Sequence, residues 1–409
     1  MEESKEIKFN HPSHEVHAIT KRRAKFDSHL ISKDIIDVLI VYTGGTFGMV
    51  ESDGGYIPHS DLLSALKTYK EFYDKDFQND VPGTTVTPVT MFKNRLRYHL
   101  YEYRNLIDSS ELVVDNYIEV AQTIKENYDK YDSFIVIYGT DTMAFLASQL
   151  SFMFENLDKT VVITGSQIPL SQWRNDAEAN LIGALTVAAH QIPEVMIFFD
   201  GILLRGNRAC KESSTLLRAF NTPNIDPLAV FNVFLKFNDG LIRKRPDKSK
   251  KFSVFEDLNS KISTIYMHPM ISEEIFLGSF KRAEAIIIQT YGMGNFPLKR
   301  KGMIKIIEDA IHTYGKTVVI VSQCRKGFVK GAYASGYELE KKGVILAEDM
   351  TLEAVICKLS YILGKGIKGD EIKIYMLKDL RGEITIENND TLDQSDIVTS
   401  PTEAGQDLS

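Results

Sequence analysis

Cysteine is scarce in this chain of 409 residues: Cys210, Cys324 and Cys357 are all there are. Three widely spaced thiols make neither a disulfide framework nor a zinc pattern, so a reducing, cytoplasmic setting is expected. No apolar run approaches the ~18 residues that a membrane-spanning helix needs, and no membrane association is expected. The opening residues, MEESKEIKFNHPSHEVH, hold no apolar stretch, so a secretory signal is not expected either. Positive charge is not in excess. The net charge is −7, yet residues 382–409 alone carry seven Asp/Glu and no Lys or Arg. Without them 48 acidic residues balance 48 basic ones, which leaves no strong field to attract nucleic acid. No repeat with a period of ~20–50 residues appears, which excludes a solenoid.

What is present is ample apolar material, 44% of the chain, enough for one large core or two separate ones. The ends differ from the middle. Residues 1–34 mix charge, His and Ser without a period and read as a flexible arm. His11, His14 and His17 recur at a spacing of three, but no acidic or thiol ligand accompanies them, and no metal is expected. Residues 382–409 read as an acidic, solvated tail. Between these ends, near-continuous Val/Ile/Phe runs at 38–42, 134–138, 161–164, 195–199, 285–289, 317–321 and 343–347 suit strands covered on both faces. Helical patterns at 61–70, 115–127, 177–189, 299–314 and 352–363 alternate with them. That alternation predicts α/β architecture: two doubly wound domains with mainly parallel sheets, a larger one at 35–241 and a smaller one at 261–381. The basic run IRKRPDKSKKF at 242–252 marks a solvated linker over 242–260.

In open parallel sheets, ligands bind beyond the carboxyl ends of the strands. The residues just after each run are therefore the informative ones. Thr43-Gly44-Gly45-Thr46-Phe47-Gly48-Met49 follows the first, with glycines for a tight turn and a hydroxyl at the strand end. It lacks both the dinucleotide and the Walker patterns, so no nucleotide cofactor is expected. Gly139-Thr140-Asp141-Thr142-Met143 follows the second. Asp or Thr at a helix start is usually a cap. A second hydroxyl at a second strand end could instead converge with the first. Arg205-Gly206-Asn207-Arg208-Ala209-Cys210-Lys211 brings a lysine that, beside a carboxylate, could relay a proton.

TGGTFGM, Tyr56-Ile57-Pro58, Asp108-Ser109-Ser110, YGTDTMAF, VVITGSQIP and RGNRACK together resemble the bacterial-type L-asparaginases, most closely their cytosolic type I branch and its animal members. The resemblance spans about residues 37–380. It implies a metal- and cofactor-free hydrolase that converts L-asparagine to L-aspartate and ammonia, assembled as a homodimer or homotetramer with its active site near a subunit interface. By the same resemblance, Thr46 is the primary nucleophile and Tyr56 lies on a mobile loop over it. Asp108, Ser109, Ser110 and Asp141 bind substrate, and Thr140, Asp141 and Lys211 form a second catalytic triad. Asn295, in Tyr291-Gly292-Met293-Gly294-Asn295, is lent to the neighbouring subunit's site.

The chemistry is consistent with those roles. A zwitterionic amino acid needs an anion for its ammonium, which Asp141 offers, and donors for its carboxylate, which Ser109 and Ser110 offer. An internal threonine has no α-amine of its own to use as base. Tyr and Lys, with unperturbed pKa values of about 10 and 10.4, need help to serve at neutral pH. A Lys211–Asp141–Thr140 relay and a closed lid carrying Tyr56 are both open. Tyr138 and Phe47 depart from the family, where many members carry His and Ile or Leu, and are expected to tune rather than abolish activity. Family members activated by asparagine have a Cys at a strand end, matched by Cys324, but also an Arg where this chain has Gln289. Weak or absent homotropic activation is therefore expected. Two other readings are a non-catalytic amino-acid sensor on the same fold and a lysophospholipase, although no GxSxG elbow is present.

Overall fold

The computed structural model describes residues 29–331 and 334–386. The N-terminal region is built on a nine-stranded sheet. Its principal strands are β1 (Ile35–Gly44), β2 (Arg95–Ile107), β3 (Ser133–Ile137), β4 (Thr160–Thr164), β5 (Val195–Phe199) and β6 (Ile202–Arg205). In space they run β6–β5–β4–β3–β1–β2, with short strands at both edges. The five from β5 to β2 are mutually parallel, and β6 turns back antiparallel to β5. Helices α1 (Val114–Asn127), α2 (Met143–Met153) and α3 (Ala177–Ala188) cover the two faces.

Strand β1 explains the layering. Ile36, Val38, Ile40 and Tyr42 enter one core while Leu39 and Val41 enter the core on the opposite face. The smaller C-terminal sheet repeats this logic with β7 (Ile262–Tyr266), β8 (Ala285–Thr290), β9 (Thr317–Ser322) and β10 (Ile345–Leu346), all parallel. Helices α4 (Lys301–Glu308) and α5 (Leu352–Gly364) lie against it. Helix α2 packs on α5 and so joins the two regions, with ten of its eleven residues buried. Having no exposed face, it shows no amphipathic period, so the sequence marked its start after Thr140 and Asp141 but not its extent.

Residues 29–34, 242–260 and 382–386 are tied into the fold more firmly than their composition suggests. Residues 29–34, assigned above to a flexible arm, belong to the fold: Leu30 bridges His190, and Ile31 N–H donates to the Ala189 carbonyl at 2.9 Å. Residues 1–28, with His11, His14 and His17, lie outside the described residues. The basic 242–260 segment is not a free linker. Arg243 N–H donates to Glu194, Phe252 stacks on Tyr128 at 3.7 Å, and Ser253–Val254 pairs with Phe154–Glu155.

The acidic tail likewise begins inside the structure. Gly382, Glu383 and Ile384 are buried, and Glu383 forms an ion pair with Lys358 in which neither side chain is exposed. Burial raises the Glu383 carboxyl. The Lys358 ammonium and the N–H groups of Leu380 and Arg381 more than offset this, holding it below its ordinary 4.5. Residues 387–409 lie outside the described residues. Glu383→Ala should therefore cost about 3–5 kcal/mol, because it leaves Lys358 buried without its counter-charge. A urea midpoint close to wild type would contradict that. A carboxyl held low contributes stability that is present above its unfolded pKa and lost as pH falls through the folded value, so the wild-type excess over Glu383→Ala should shrink in acid.

Candidate active site

Parallel register brings four loops to one edge. Tyr42 pairs with Ile137, and Ile137 with Thr164, so the chain leaves β1, β3 and β4 at the same level. After a bulge, Gly44 pairs with Ile107 at the end of β2. The segments beginning at Gly45, Asp108, Tyr138 and Gly165 thus surround one crevice, as expected for carboxyl strand ends.

Glycines set how tightly these loops meet. Gly45 has φ 79°, and a Cβ placed on it would lie 2.5 Å from Gly139 Cα. The TGGT and GTDT loops therefore touch backbone to backbone, which no larger residue would permit. Each catalytic candidate, Thr46 or Thr140, is the residue immediately after one of those touching glycines. Ser109 closes the third side, since a Cβ on Gly139 would meet its Oγ at 2.4 Å.

The structure joins Thr140, Asp141 and Lys211. Lys211 Nζ donates to Thr140 Oγ1 at 2.9 Å and to Asp141 Oδ1 at 2.7 Å. Thr140 is buried, whereas the Asp141 side chain is 63% exposed, so the group is open to a ligand on the carboxylate side. Neither Thr140 nor Asp141 caps α2. The cap position is Thr142, whose hydroxyl instead donates to the Ser109 carbonyl at 2.7 Å. Thr46 is half-buried in the Thr46–Gly48 turn, and its hydroxyl makes no hydrogen bond with any described residue. Tyr56 is exposed on a hairpin formed by Met49–Ser52 and Gly55–Pro58, with its second strand beside that turn.

Other expected binders are placed less directly. Ser110 N–H and Oγ both donate to Asp108 Oδ1, at 3.0 and 2.9 Å, so these two exposed residues hold each other at the turn. Asn295 is not brought to Thr140, Asp141 or Lys211. It is exposed in the C-terminal region, where its Oδ1 accepts from Ser335 Oγ at 3.0 Å. Phe47 and Tyr138 are fully buried packing residues. Burial pushes the Tyr138 hydroxyl up to about 12 while its bond with Thr142 lowers it.

Four further residues matter to which motif reading gave no role. Thr140 Oγ1 donates to Gln167 Oε1 at 3.3 Å, which directs its proton away from Lys211. Asp176 accepts from the backbone N–H groups of Gln167 and Ile168, fixing that loop. Gln167 sits within VVITGSQIP, so the signal was present but unassigned. Arg208 is buried and reaches Asp349 at 2.7 Å, the Gly382 carbonyl at 2.7 Å and Thr385 at 3.0 Å. Arg325 donates to the Lys211 carbonyl from the opposite side. C-terminal residues thus grip the chain on both sides of Cys210, and only folding could reveal the Arg325 contact. Cys324 and Gln289 line a 270 Å³ cavity together with Arg325 and Glu353, whose carboxyl is raised by burial.

Comparison with known proteins agrees with this geometry. The family model described as "Asparaginase, N-terminal" matches residues 37–243, and "Glutaminase/Asparaginase C-terminal domain" matches 261–376. An L-asparaginase of Dirofilaria immitis is 37% identical over 372 residues, covering 88% of this chain and 63% of that one. A 60 kDa lysophospholipase of Homo sapiens is 38% identical over 354 residues, covering 85% and 61%. The chain thus spans less than two thirds of these relatives' own length. It covers 99% of L-asparaginase I of Vibrio cholerae, a crystal structure 37% identical over 86% of this chain with a TM-score of 0.74.

Proposed function

The chain belongs to the asparaginase family, and from that premise we propose that it is an L-asparaginase, converting L-asparagine to L-aspartate and ammonia. The observation that carries this reading is Lys211 Nζ bridging Thr140 and Asp141 where the TGGT and GTDT loops touch. Asp141 keeps an exposed carboxylate for the substrate ammonium, and Ser109 lies beside it for the carboxylate. Thr46 attacks the side-chain amide carbon, its hydroxyl proton passes to the departing nitrogen, and ammonia leaves an aspartyl ester on Thr46 Oγ. Water then hydrolyses the ester and returns the proton to Thr46. Tyr56 or the Lys211–Thr140 pair assists the proton transfers. Tyr56 does so only once its hairpin has closed, because it is exposed in this structure.

By resemblance to the family the working assembly is a homodimer or homotetramer, in which Asn295, exposed in this structure, would serve a neighbouring site. All three cysteines are free, which supports a cytoplasmic location. Among the described residues no helix is long and apolar enough to cross a membrane. Ammonia release from asparagine, assayed beside lysophospholipid hydrolysis on the same full-length protein, tests the proposal. Fatty-acid release without ammonia would replace it with the lysophospholipase reading, and binding without turnover with the sensor reading.

Regulation should be weak. Gln289 offers an uncharged amide where an arginine fork would hold an effector carboxylate, and Glu353 adds repulsion for any anion that binds while it is ionised. Initial rates against asparagine concentration should give a Hill coefficient near ~1, and a value clearly above ~1.5 would restore a coupled effector site.

A further inference from the structure

Of the three glycines in Thr43-Gly44-Gly45-Thr46-Phe47-Gly48-Met49, the last is not there for its backbone conformation. Gly44 and Gly45 have positive φ, whereas Gly48 does not. Close approach explains it instead. A Cβ placed on Gly48 would lie 2.2 Å from Tyr42 Oη and 2.7 Å from Tyr42 Cζ. Tyr42 is the last regularly paired residue of β1 before its bulge, and it is fully buried in the same core as Phe47. The chain therefore folds back on its own strand, and the tip of the tyrosine abuts the Thr46–Gly48 turn.

Other contacts hold the turn without fixing its height over that tyrosine. The Phe47 carbonyl accepts from Leu170 N–H at 2.9 Å, and the Met49 carbonyl from Ser171 Oγ at 2.8 Å. A cavity of 300 Å³ separates Phe47, Gly48 and Met49 from Leu62 and Ala65 of the Leu62–Leu66 helix, so the turn has room to shift. The Tyr42 hydroxyl makes no hydrogen bond of good geometry with any described residue. Burial pushes it well above its ordinary 10, the Glu102 charge adds to the rise, and the Gly48 N–H opposes it. The hydroxyl is therefore neutral at physiological pH and acts as a spacer against Gly48, not as an acid or base.

We propose that Tyr42 is a positioning residue for the reaction: it props Gly48 and so sets the place from which Thr46 attacks. The proposal rests on Thr46 being the nucleophile. Thr46 lies between two close contacts that a larger residue would break, Gly45 on Gly139 and Gly48 on Tyr42. Misplacing a reacting atom by about 1 Å is enough to cost about 10²-fold in rate. A fully buried ring suits this task, because side chains in a close-packed core keep one rotamer.

The test uses the full-length protein and compares Tyr42→Phe, Gly48→Ala, the double variant and Thr46→Val in asparagine turnover and thermal unfolding. Tyr42→Phe keeps the ring and should lower kcat about tenfold with KM within about twofold, because the support serves the attack and not substrate binding. Its unfolding temperature should stay at or above wild type, since no described partner loses a hydrogen bond. Gly48→Ala drives a methyl into the hydroxyl and should lower kcat about 10²-fold. Removing the hydroxyl relieves part of that clash. The double variant should therefore turn over faster than Gly48→Ala alone, a coupling that independent sites do not show. Tyr42→Phe decides the matter by itself if Gly48→Ala folds poorly. Wild-type kcat in Tyr42→Phe, a loss confined to KM, or simple additivity in the double variant would each overturn the proposal. A fall in unfolding temperature that accounts for the lost activity would also overturn it, leaving Tyr42 a packing residue. Near-normal turnover by Thr46→Val would remove the nucleophile and this role with it. An inactive Thr46→Val beside a fully active Tyr42→Phe would remove this role alone.

Discussion

Thr46→Val should lower kcat by about 10³-fold or more while asparagine binding changes only a few-fold. Valine nearly matches the shape of threonine and suits a half-buried position. The Thr46 hydroxyl makes no hydrogen bond with the described residues, so its removal leaves no partner unsatisfied. The loss would therefore fall on the covalent step rather than on folding. Stopped kinetics with an unchanged unfolding temperature is the expected pair of results. Near-normal turnover would move the nucleophilic role to Thr140, the other hydroxyl that follows a touching glycine.

Lys211→Met should reduce kcat by roughly 10²–10⁴-fold, the range that positioned acid–base groups supply. Methionine keeps much of the aliphatic stem but removes both donations, at 2.9 Å to Thr140 and 2.7 Å to Asp141. Asp141 is largely exposed, so water can solvate it once the ammonium is gone, and stability should change little. The Arg325 grip uses the Lys211 backbone carbonyl and survives the substitution. Rates measured across roughly pH 6–9 separate the possibilities, because a relay residue changes both the height and the shape of the profile. A variant that tracks wild type throughout would leave Tyr56 as the sole assisting group.

Much of the fold was legible because buried parallel strands write themselves plainly. Every apolar run read as a strand is one in the structure, although the last shrinks to Ile345–Leu346. Strand β2 was not legible. Its sequence RLRYHLYEYRNLI interleaves charge with apolar residues, and those charges are neutralised only by distant partners, Arg97 by Asp37 at 2.6 Å and Arg95 by Asp74 at 2.6 Å. The reading of the basic segment and of the start of the acidic tail as solvated failed for the same reason. Composition marks Glu383 and Arg243 as solvated, whereas partners far along the chain allow them to be buried or fixed.

The site divides along the same line. The sequence by itself determined the chemical inventory: two glycine–threonine turns, a carboxylate, a lysine and the strands that carry them, because local backbone demands and strand-end placement are written in neighbouring residues. Tertiary structure alone decided which of these meet. It set Gly45 against Gly139, directed the Thr140 proton to Gln167 and held the Lys211 segment through Arg208 and Arg325. It also left Tyr56 exposed and Asn295 with Ser335, apart from the Lys211 group. Those outcomes depend on register between strands and on ion pairs spanning more than a hundred residues, and such contacts acquire their energy only when the whole chain has packed.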